Sequence, residues 1–278
     1  MTNNIVLRRG RGWWWTVAKY GAIFRTKLAS SFAYAGDALF RTLFLAIILF
    51  IFSQLWKTTY SGLGAHRIAG FTIAQMIWYL VLTEAITLSR STVNTEIDDE
   101  VRSGSLAYSL GRPYHYLLYH LANHLGDRLP RIGISLVVGG VIAMVLVGPI
   151  HETVLGLTVT AVSIILAVLV DFAGVLGIGL LAFWIEDTRG VALIHGRATM
   201  ILGGMLLPPS VFPPALAKVC AILPFSSVYF LPGRLLATGV PPDIGVLLGK
   251  QVAWIMVLGL IALAIYRKGV AHVESNGG

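Results

Sequence analysis

The chain has 278 residues and a formal net charge of +8, with 56% hydrophobic and only 12% charged residues. Soluble domains carry about 25% charged residues, so this composition excludes an ordinary globule with a polar shell. A nucleic-acid-binding domain would gather Lys and Arg on one soluble face, whereas here they mark the ends of apolar blocks. A single cysteine, Cys220, excludes an internal disulfide framework and is interpreted as a packing residue.

The N-terminal segment begins with three arginines, at positions 8, 9 and 11, which imitate the basic region of a signal peptide. Basic residues between 19 and 27 interrupt the apolar stretch that a signal peptide would need, so we expect the segment to be retained. Apolar residues recur here every three to four positions, namely Trp13, Val17, Tyr20, Phe24 and Leu28. The pattern predicts an interfacial amphipathic helix over residues 13–36, either as a tether for the first span or with a signalling role.

Six apolar blocks approach the ~20 residues that a helix needs to cross a bilayer. They cover residues 39–56, 69–88, 132–147, 153–185, 191–207 and 244–266. The fourth block, with 33 residues, would form a helix of about 50 Å, longer than a ~30 Å hydrocarbon core. It therefore either protrudes into the cytoplasm or is broken near residues 171–179. The fold class predicted is all-α, a polytopic membrane protein with one domain over residues 1–278 and six transmembrane helices.

The distribution of Lys and Arg orients the chain, because cytoplasmic segments hold the excess of these residues. With both termini inside, fifteen lie in cytoplasmic segments and five in outside segments, while Arg41 falls within the first span. The sequence therefore predicts that both termini are cytoplasmic.

The longest polar stretch covers residues 90–131 and is predicted to be cytoplasmic. Acidic residues at 96–100 lead into EVRSGSLAYSLGRP at 100–113, where a glycine start, an apolar stripe and a proline stop predict a short helix. Consecutive Asp98, Asp99 and Glu100 point in different directions on a helix. A solvated face is therefore favoured over a cation site for this cluster.

The string at 100–113 resembles the R/E-x-G-T/S-L-x-x-x-L-x-x-P signature of ABC-2 type permeases. In that family the signature builds a coupling helix that fits a groove on the ATPase. The resemblance implies the same role here for Glu100, Arg102, Gly104, Ser105, Leu106, Leu110, Arg112 and Pro113. Ser105 is a small departure, since Thr is commoner at that position.

The resemblance extends over nearly the whole chain. Arg112-Pro113 and the string AFWIEDT at 182–188 resemble a bacterial subgroup of uncharacterised export permeases. Members of that subgroup are usually paired with a second, different permease and an ATPase. The resemblance implies a bacterial plasma-membrane exporter, a partner ATPase dimer that binds ATP and magnesium, and a second permease chain, different or identical.

Residues 114–131 carry leucines on one side and polar residues on the other. His120 and His124 lie four positions apart, but neither an H-E-x-x-H pattern nor a cysteine partner accompanies them. An interfacial helix end is therefore favoured over a metal site.

The stretch 208–243 is too apolar for an ordinary loop and too rich in proline for a span. It predicts a re-entrant helical hairpin that surrounding protein protects from lipid. The resemblance implies that such a hairpin dips in from the outer face and bounds the substrate exit, while an external cap that only packs stays an alternative. The residues assigned to it are Pro208, Pro209, Pro213, Pro214, Pro224, Phe225 and Pro232.

Placing an ionisable side chain inside an apolar span costs free energy, so such a residue is a candidate for a functional role. Glu84 and Asp171 are such residues, and each is predicted either to line a path or to pair with a partner subunit, a structural role being the alternative. Arg41 lies near a span end, where its side chain is expected to snorkel to the headgroups.

The sequence lacks the motifs that ATP hydrolysis, membrane-embedded hydrolysis and secondary transport would require. The nearest approach to a P-loop, at 245–251, is one residue short and lacks the hydroxyl that holds magnesium, so this chain is not expected to hydrolyse ATP. No G-x-S-x-G or H-E-x-x-H occurs, and the halves show no repeat of the kind found in secondary transporters. The sequence predicts a permease without its own metal or cofactor, in contact with lipid and not nucleic acid. A secondary transporter and a membrane-embedded lipid-modifying enzyme remain the alternatives.

Overall fold

The computed structural model of the protein describes residues 13–33, 35–90, 92–150, 152–185 and 187–276. Within these ranges the chain forms eleven α-helices, three short 3-10 helices and no β-strand, which confirms the all-α class. The α-helices are α1 Trp13–Ala33, α2 Ala35–Leu63, α3 Ile73–Leu88, α4 Val93–Arg102, α5 Leu106–Leu110, α6 Tyr116–Val147, α7 Val154–Leu180, α8 Arg189–Leu202, α9 Pro214–Ile222, α10 Phe230–Thr238 and α11 Ile244–Asn276. The arginines at 8, 9 and 11, and Glu186, lie outside the described residues.

Four of the described helices are long and apolar enough to cross a membrane. The crossing segments are Phe40–Leu63, Tyr116–Val147, Val154–Phe183 and Ile244–His272. Helices α3 and α8 have 16 and 14 residues, about 24 and 21 Å at ~1.5 Å per residue. Both are shorter than a ~30 Å hydrocarbon core, so the count of six spans stays a prediction.

Two long helices bear on the sequence-based expectations. Helix α7 is continuous over Val154–Leu180 and is followed by a 3-10 turn at Leu181–Phe183, so of the two alternatives for this block the break near residues 171–179 is wrong. Helix α6 begins at Tyr116 and passes through Pro130 without ending, so the third apolar block is only its second half. At 32 residues, about 48 Å, α6 exceeds the hydrocarbon thickness.

Helix α3 lies at the centre of the larger apolar core, between α2, α6 and α10. Thr72 and Gln75 form a reciprocal capping box that fixes its start. All residues from Met76 to Ile86 are buried. A Cβ built at Gly233 of α10 would lie 2.7 Å from the Tyr79 ring, so only glycine allows α10 to approach α3 this closely.

A second apolar cluster joins α4 and α5 to the long helices α6, α7 and α11. Ile97 of α4 and Leu106 of α5 are buried in it together with Tyr116, Phe172 and Leu180. This cluster attaches the polar segment between α3 and α6 to the ends of the long helices. Movement of α4 and α5 is therefore resisted by direct packing against those helices.

Helix α1 packs along the first half of α6. A Cβ at Gly126 would lie 2.6 Å from the Phe24 carbonyl oxygen, so the glycine permits close contact between the two backbones. The Ser31 hydroxyl also donates a hydrogen bond to Asp127 Oδ1 at 3.2 Å.

The proline-rich stretch forms two α-helices joined through a 3-10 turn at Pro224–Ser227. The first, α9, begins at Pro214, where proline is tolerated because the first helical amide has no partner. Cys220 of α9 is fully buried, as a packing residue would be. The second, α10, packs against α3 and α7. The helix pair fits a hairpin, and its insertion from the outer face stays a prediction.

Candidate functional site

The segment 100–113 has the shape expected from its sequence. Helix α4 ends at Arg102, Gly104 turns the chain with φ +72°, and α5 follows over Leu106–Leu110. That φ lies in the left-handed region, which glycine adopts without steric cost. The eight residues predicted to couple to an ATPase therefore lie within one short segment that contains the end of α4, the turn, α5 and the two residues after Gly111.

One side of α5 is anchored to the body of the protein. Leu106 is 4% exposed and packs in the second apolar cluster. Close by, the Tyr116 hydroxyl of α6 donates a hydrogen bond of 2.7 Å to Glu100 Oε2 at the end of α4. Two of the predicted coupling residues, Glu100 and Leu106, thus act as attachments between this element and the core.

The other side of α5 faces outward. Tyr108 is 68% exposed, and the Arg112 guanidinium carbon lies 4.5 Å from the centre of its ring, a cation–π distance. Arg112 Nη1 also donates to the Tyr114 hydroxyl at 3.1 Å. Arg112 and Tyr108 are exposed and Tyr114 is half-buried, and tyrosine and arginine are residue types enriched at protein interfaces.

Helix α1 touches the end of the same element. Lys19 Nζ donates a hydrogen bond of 2.8 Å to the Pro113 carbonyl, and the His115 amide donates one of 2.8 Å to the Tyr20 hydroxyl. The predicted interfacial helix therefore contacts the predicted coupling segment directly. No sequence pattern indicates this pairing, since the partners are more than 90 positions apart.

Helix α4 is attached to the connection between α7 and α8 by three polar contacts, made by two residue pairs. Asp98 accepts hydrogen bonds from the Thr188 amide at 3.2 Å and the Thr188 hydroxyl at 2.6 Å. Arg102 Nη2 lies 3.1 Å from Asp187 Oδ2. The Arg189 amide, and after it Arg102, hold the pKa of Asp187 below its usual range. The predicted solvated face is thus wrong for Asp98, which is buried because Thr188 satisfies its carboxylate.

A buried ion pair lies deeper, between α6 and α7. Arg128 Nη1 is 2.5 Å from Asp171 Oδ2, and the side chains are 0% and 4% exposed. Arg128 also donates to the Ser89 hydroxyl at 3.4 Å and to the Ile86 carbonyl at 3.5 Å. Asp171 therefore has its counter-charge within the same chain, so it does not need a basic group from a partner subunit. Arg128 is not among the functional candidates that the sequence indicates.

The histidines of α6 share the buried side of this helix. His124 Nε2 lies 3.4 Å from Arg128 Nη1, and His120 and His124 are 1% and 2% exposed. Both side chains lie near the start of α6 and face the interior of the protein, and the position of this helix end at the membrane interface stays a prediction. The spacing of four between His120, His124 and Arg128 was the available signal for one polar stripe. Among the described residues no group of three or more His, Cys, Asp or Glu side chains is placed to hold a metal ion.

Glu84 lies apart from these contacts, within the core around α3. It is 1% exposed, and neither carboxylate oxygen has a hydrogen-bond partner among the described residues. Arg41 Nη1 donates to the Leu88 carbonyl at 2.8 Å, at the end of α3. This donor is therefore bonded to the backbone, and the interaction of the Arg41 side chain with lipid headgroups stays a prediction.

The proline-rich stretch contributes to a cavity beside the buried ion pair. Pro224 and Phe225 line a largely apolar cavity of about 280 Å³ together with Asp171 of α7 and His195 of α8. Phe225 also makes an edge contact with the His195 ring, with centroids 5.8 Å apart. Of the residues assigned to the hairpin, Pro224 and Phe225 are therefore brought together with Asp171.

The comparison with protein families decides the identity of the chain. The family model for the ABC-2 family transporter protein matches residues 40–277, which includes all of α3 to α11. The chain belongs to the ABC-2 transporter family. It is a multi-pass membrane protein, the permease component of an ABC transporter. A search of curated proteins finds no match to the permease.

Proposed function

We propose that the permease is the membrane subunit of an ATP-driven bacterial exporter, coupled through residues 104–113 to an ATPase on a separate chain. The observation that carries this proposal is the two-sided construction of α5. Leu106 attaches the helix to the core, while Tyr108 and Arg112 present an exposed surface. An element that transmits a conformational change from a partner to the membrane helices needs both an outer contact surface and a rigid inner attachment.

The contacts of α4 supply a route for that movement. A displacement of α5 is passed to α4 across the Gly104 turn, and from α4 to the α7–α8 connection through Asp98 and Arg102. Helices α7 and α8 line the cavity at Asp171. Closure of an ATPase dimer, with ATP and magnesium bound to that partner, would therefore change access to this cavity.

The proposed topology has six spans with both termini in the cytoplasm at the plasma membrane. Helices α3 and α8 would complete their crossings with the residues that flank them, including 69–72 and 203–207. Support comes from the burial of α3 on all sides, since a helix shielded by protein need not match the full bilayer thickness. A second permease chain, identical or different, would complete the substrate path, with the α9–α10 hairpin at its outer end.

Co-purification tests the proposal. The permease is expressed with its neighbouring genes, purified in nanodiscs through a tag on this chain, and assayed for co-eluting subunits and ATP hydrolysis. Replacing residues 104–113 with a flexible Gly/Ser linker should abolish ATPase recovery. The same replacement at residues 64–68, between α2 and α3, is the matched control and should leave it unchanged. Recovery that survives loss of 104–113 would contradict the coupling role.

A further inference from the structure

Two cavities meet at the buried ion pair. The apolar one, of about 280 Å³, lies between α7, α8 and α11. The second, of about 160 Å³, has a mixed lining that includes the polar side chains Arg90, Asn94 and His124. Both are lined by Asp171, Ile178 and His195, so they adjoin. Together they fall within the range of roughly 300–1,000 Å³ that small-ligand pockets occupy.

The polar cavity carries an excess of positive charge. Its one acidic lining residue among those described is Asp171, and Arg128 already neutralises that carboxylate. Arg90 lines the same cavity, and its Nη2 donates a hydrogen bond of 3.2 Å to the Gly196 carbonyl. A guanidinium has five N–H donors in a planar fork, so Arg90 retains both charge and donors for another acceptor.

Two glycines leave room for the polar groups. A Cβ at Gly196 would lie 3.1 Å from Arg90 Nη1, and one at Gly174 would lie 3.0 Å from His195 Nε2. Contacts this short mean that a larger residue at either position would press on the polar side chain. The backbone of α7 and α8 thus leaves Arg90 and His195 at the junction of the two cavities.

We propose that the joined cavities bind an amphiphile with an anionic head group, a carboxylate or a phosphate ester, as the transported substrate. The head group pairs with Arg90, because a guanidinium fork matches the oxygens of carboxylate and phosphate. The alkyl part lies along the apolar cavity against Phe225 and Leu258. This inference rests on the proposed transport function and narrows its substrate class.

Photolabelling of the purified full-length permease in zwitterionic nanodiscs tests the substrate class. The probe is a dodecanoate that carries a diazirine on its alkyl chain, and labelled peptides are identified by mass spectrometry. Label is expected on α7, α8 and α11. Dodecanoate and dodecyl phosphate should compete for it, whereas dodecanol and inorganic phosphate at equal concentrations should not.

Arg90→Gln should weaken labelling about ten- to a hundredfold, since a hydrogen bond to a charged group contributes about that factor. Arg90→Lys keeps the positive charge but loses the planar guanidinium. It should therefore reduce labelling less than Arg90→Gln does, and the labelling that remains shows that the site still folds. Arg197→Gln is the matched control, because Arg197 lies exposed on α8 and lines neither cavity. Equal competition by dodecanol, equal competition by inorganic phosphate, or unchanged labelling of Arg90→Gln would each overturn the proposal.

The labelling needs no ATPase, so the two proposals fail separately. Absent labelling with intact ATPase co-purification would overturn the substrate class alone. Normal labelling with no ATPase recovered would instead overturn the coupling role.

Discussion

Replacing Asp171 with leucine should destabilise the permease strongly, because it leaves the fully buried Arg128 guanidinium without its counter-charge. The pair is closed at 2.5 Å, with both side chains almost fully buried. Breaking a buried pair by removing one partner costs about 3–5 kcal/mol. A change of 1 kcal/mol moves the melting temperature by about 2–4 °C in chains of 150–250 residues. The apparent melting temperature should therefore fall by roughly 6–20 °C.

Thermal unfolding in nanodiscs, followed by the fluorescence of the seven tryptophans, measures this shift. Asp187→Leu is the control: it breaks the exposed pair with Arg102, whose side chains are 37% and 54% exposed, and should shift the melting temperature far less. Combining Arg128→Met with Asp171→Leu should restore most of the loss, because neither charge of this buried pair is then left without its partner. A double variant no more stable than Asp171→Leu, or an equal fall in the control, would refute the explanation by an unpaired buried charge.

Three further outcomes are expected. Gly104→Ala strains a left-handed turn by about 1–2 kcal/mol and should lower ATP hydrolysis by the assembled complex while leaving assembly intact. Asp98→Ala leaves the buried Thr188 amide without its acceptor, a penalty of about 1–3 kcal/mol, and should reduce both thermal stability and stimulated ATP hydrolysis. Gly233→Ala forces a methyl group against the Tyr79 ring and should lower the melting temperature, as overpacking costs about 1–3 kcal/mol.

Matched controls carry the same type of substitution at positions without the contact in question, so they show whether an effect is specific to the position. Gly111→Ala meets only ordinary contacts, the nearest at 3.5 Å, and Gly245→Ala meets no atom within 4 Å, so both should leave stability and hydrolysis unchanged. Asp99→Ala removes an exposed carboxylate one position from Asp98 and should leave stimulated hydrolysis intact. Loss of hydrolysis in Gly111→Ala, or equal losses at Asp98 and Asp99, would contradict the roles assigned to the Gly104 turn and to Asp98.

The features that depend on local composition could be predicted from the sequence. A continuous apolar block suffices to indicate a membrane helix, and the four long ones occur where the blocks lie. The short helix between Gly104 and Pro113 is explained by its glycine turn and proline stop. Family membership was likewise recognisable, because the signature at 100–113 is short and contiguous.

Features that depend on distant partners could not be predicted. His120 and His124 are expected from the sequence at an interfacial helix end, but their side of α6 is buried and carries Arg128, which pairs with a carboxylate 43 positions further on. Asp98 differs from the exposed Asp99 only because Thr188, 90 positions away, donates to it. In each case a polar residue is buried because of a partner that sequence spacing does not reveal.

Cross-linking from the exposed side of α5 is the most direct test of the coupling role. Cys220 is the single cysteine and is buried, so a Cys220→Ala background leaves Tyr108→Cys as the one thiol. Leu63→Cys, at the same 68% exposure but at the far end of α2, is the control. We expect Tyr108→Cys, and not Leu63→Cys, to form a cross-link to the ATPase of the assembled complex, with a yield that changes on addition of ATP. An assembled complex in which Tyr108→Cys never cross-links to the ATPase would contradict the coupling role.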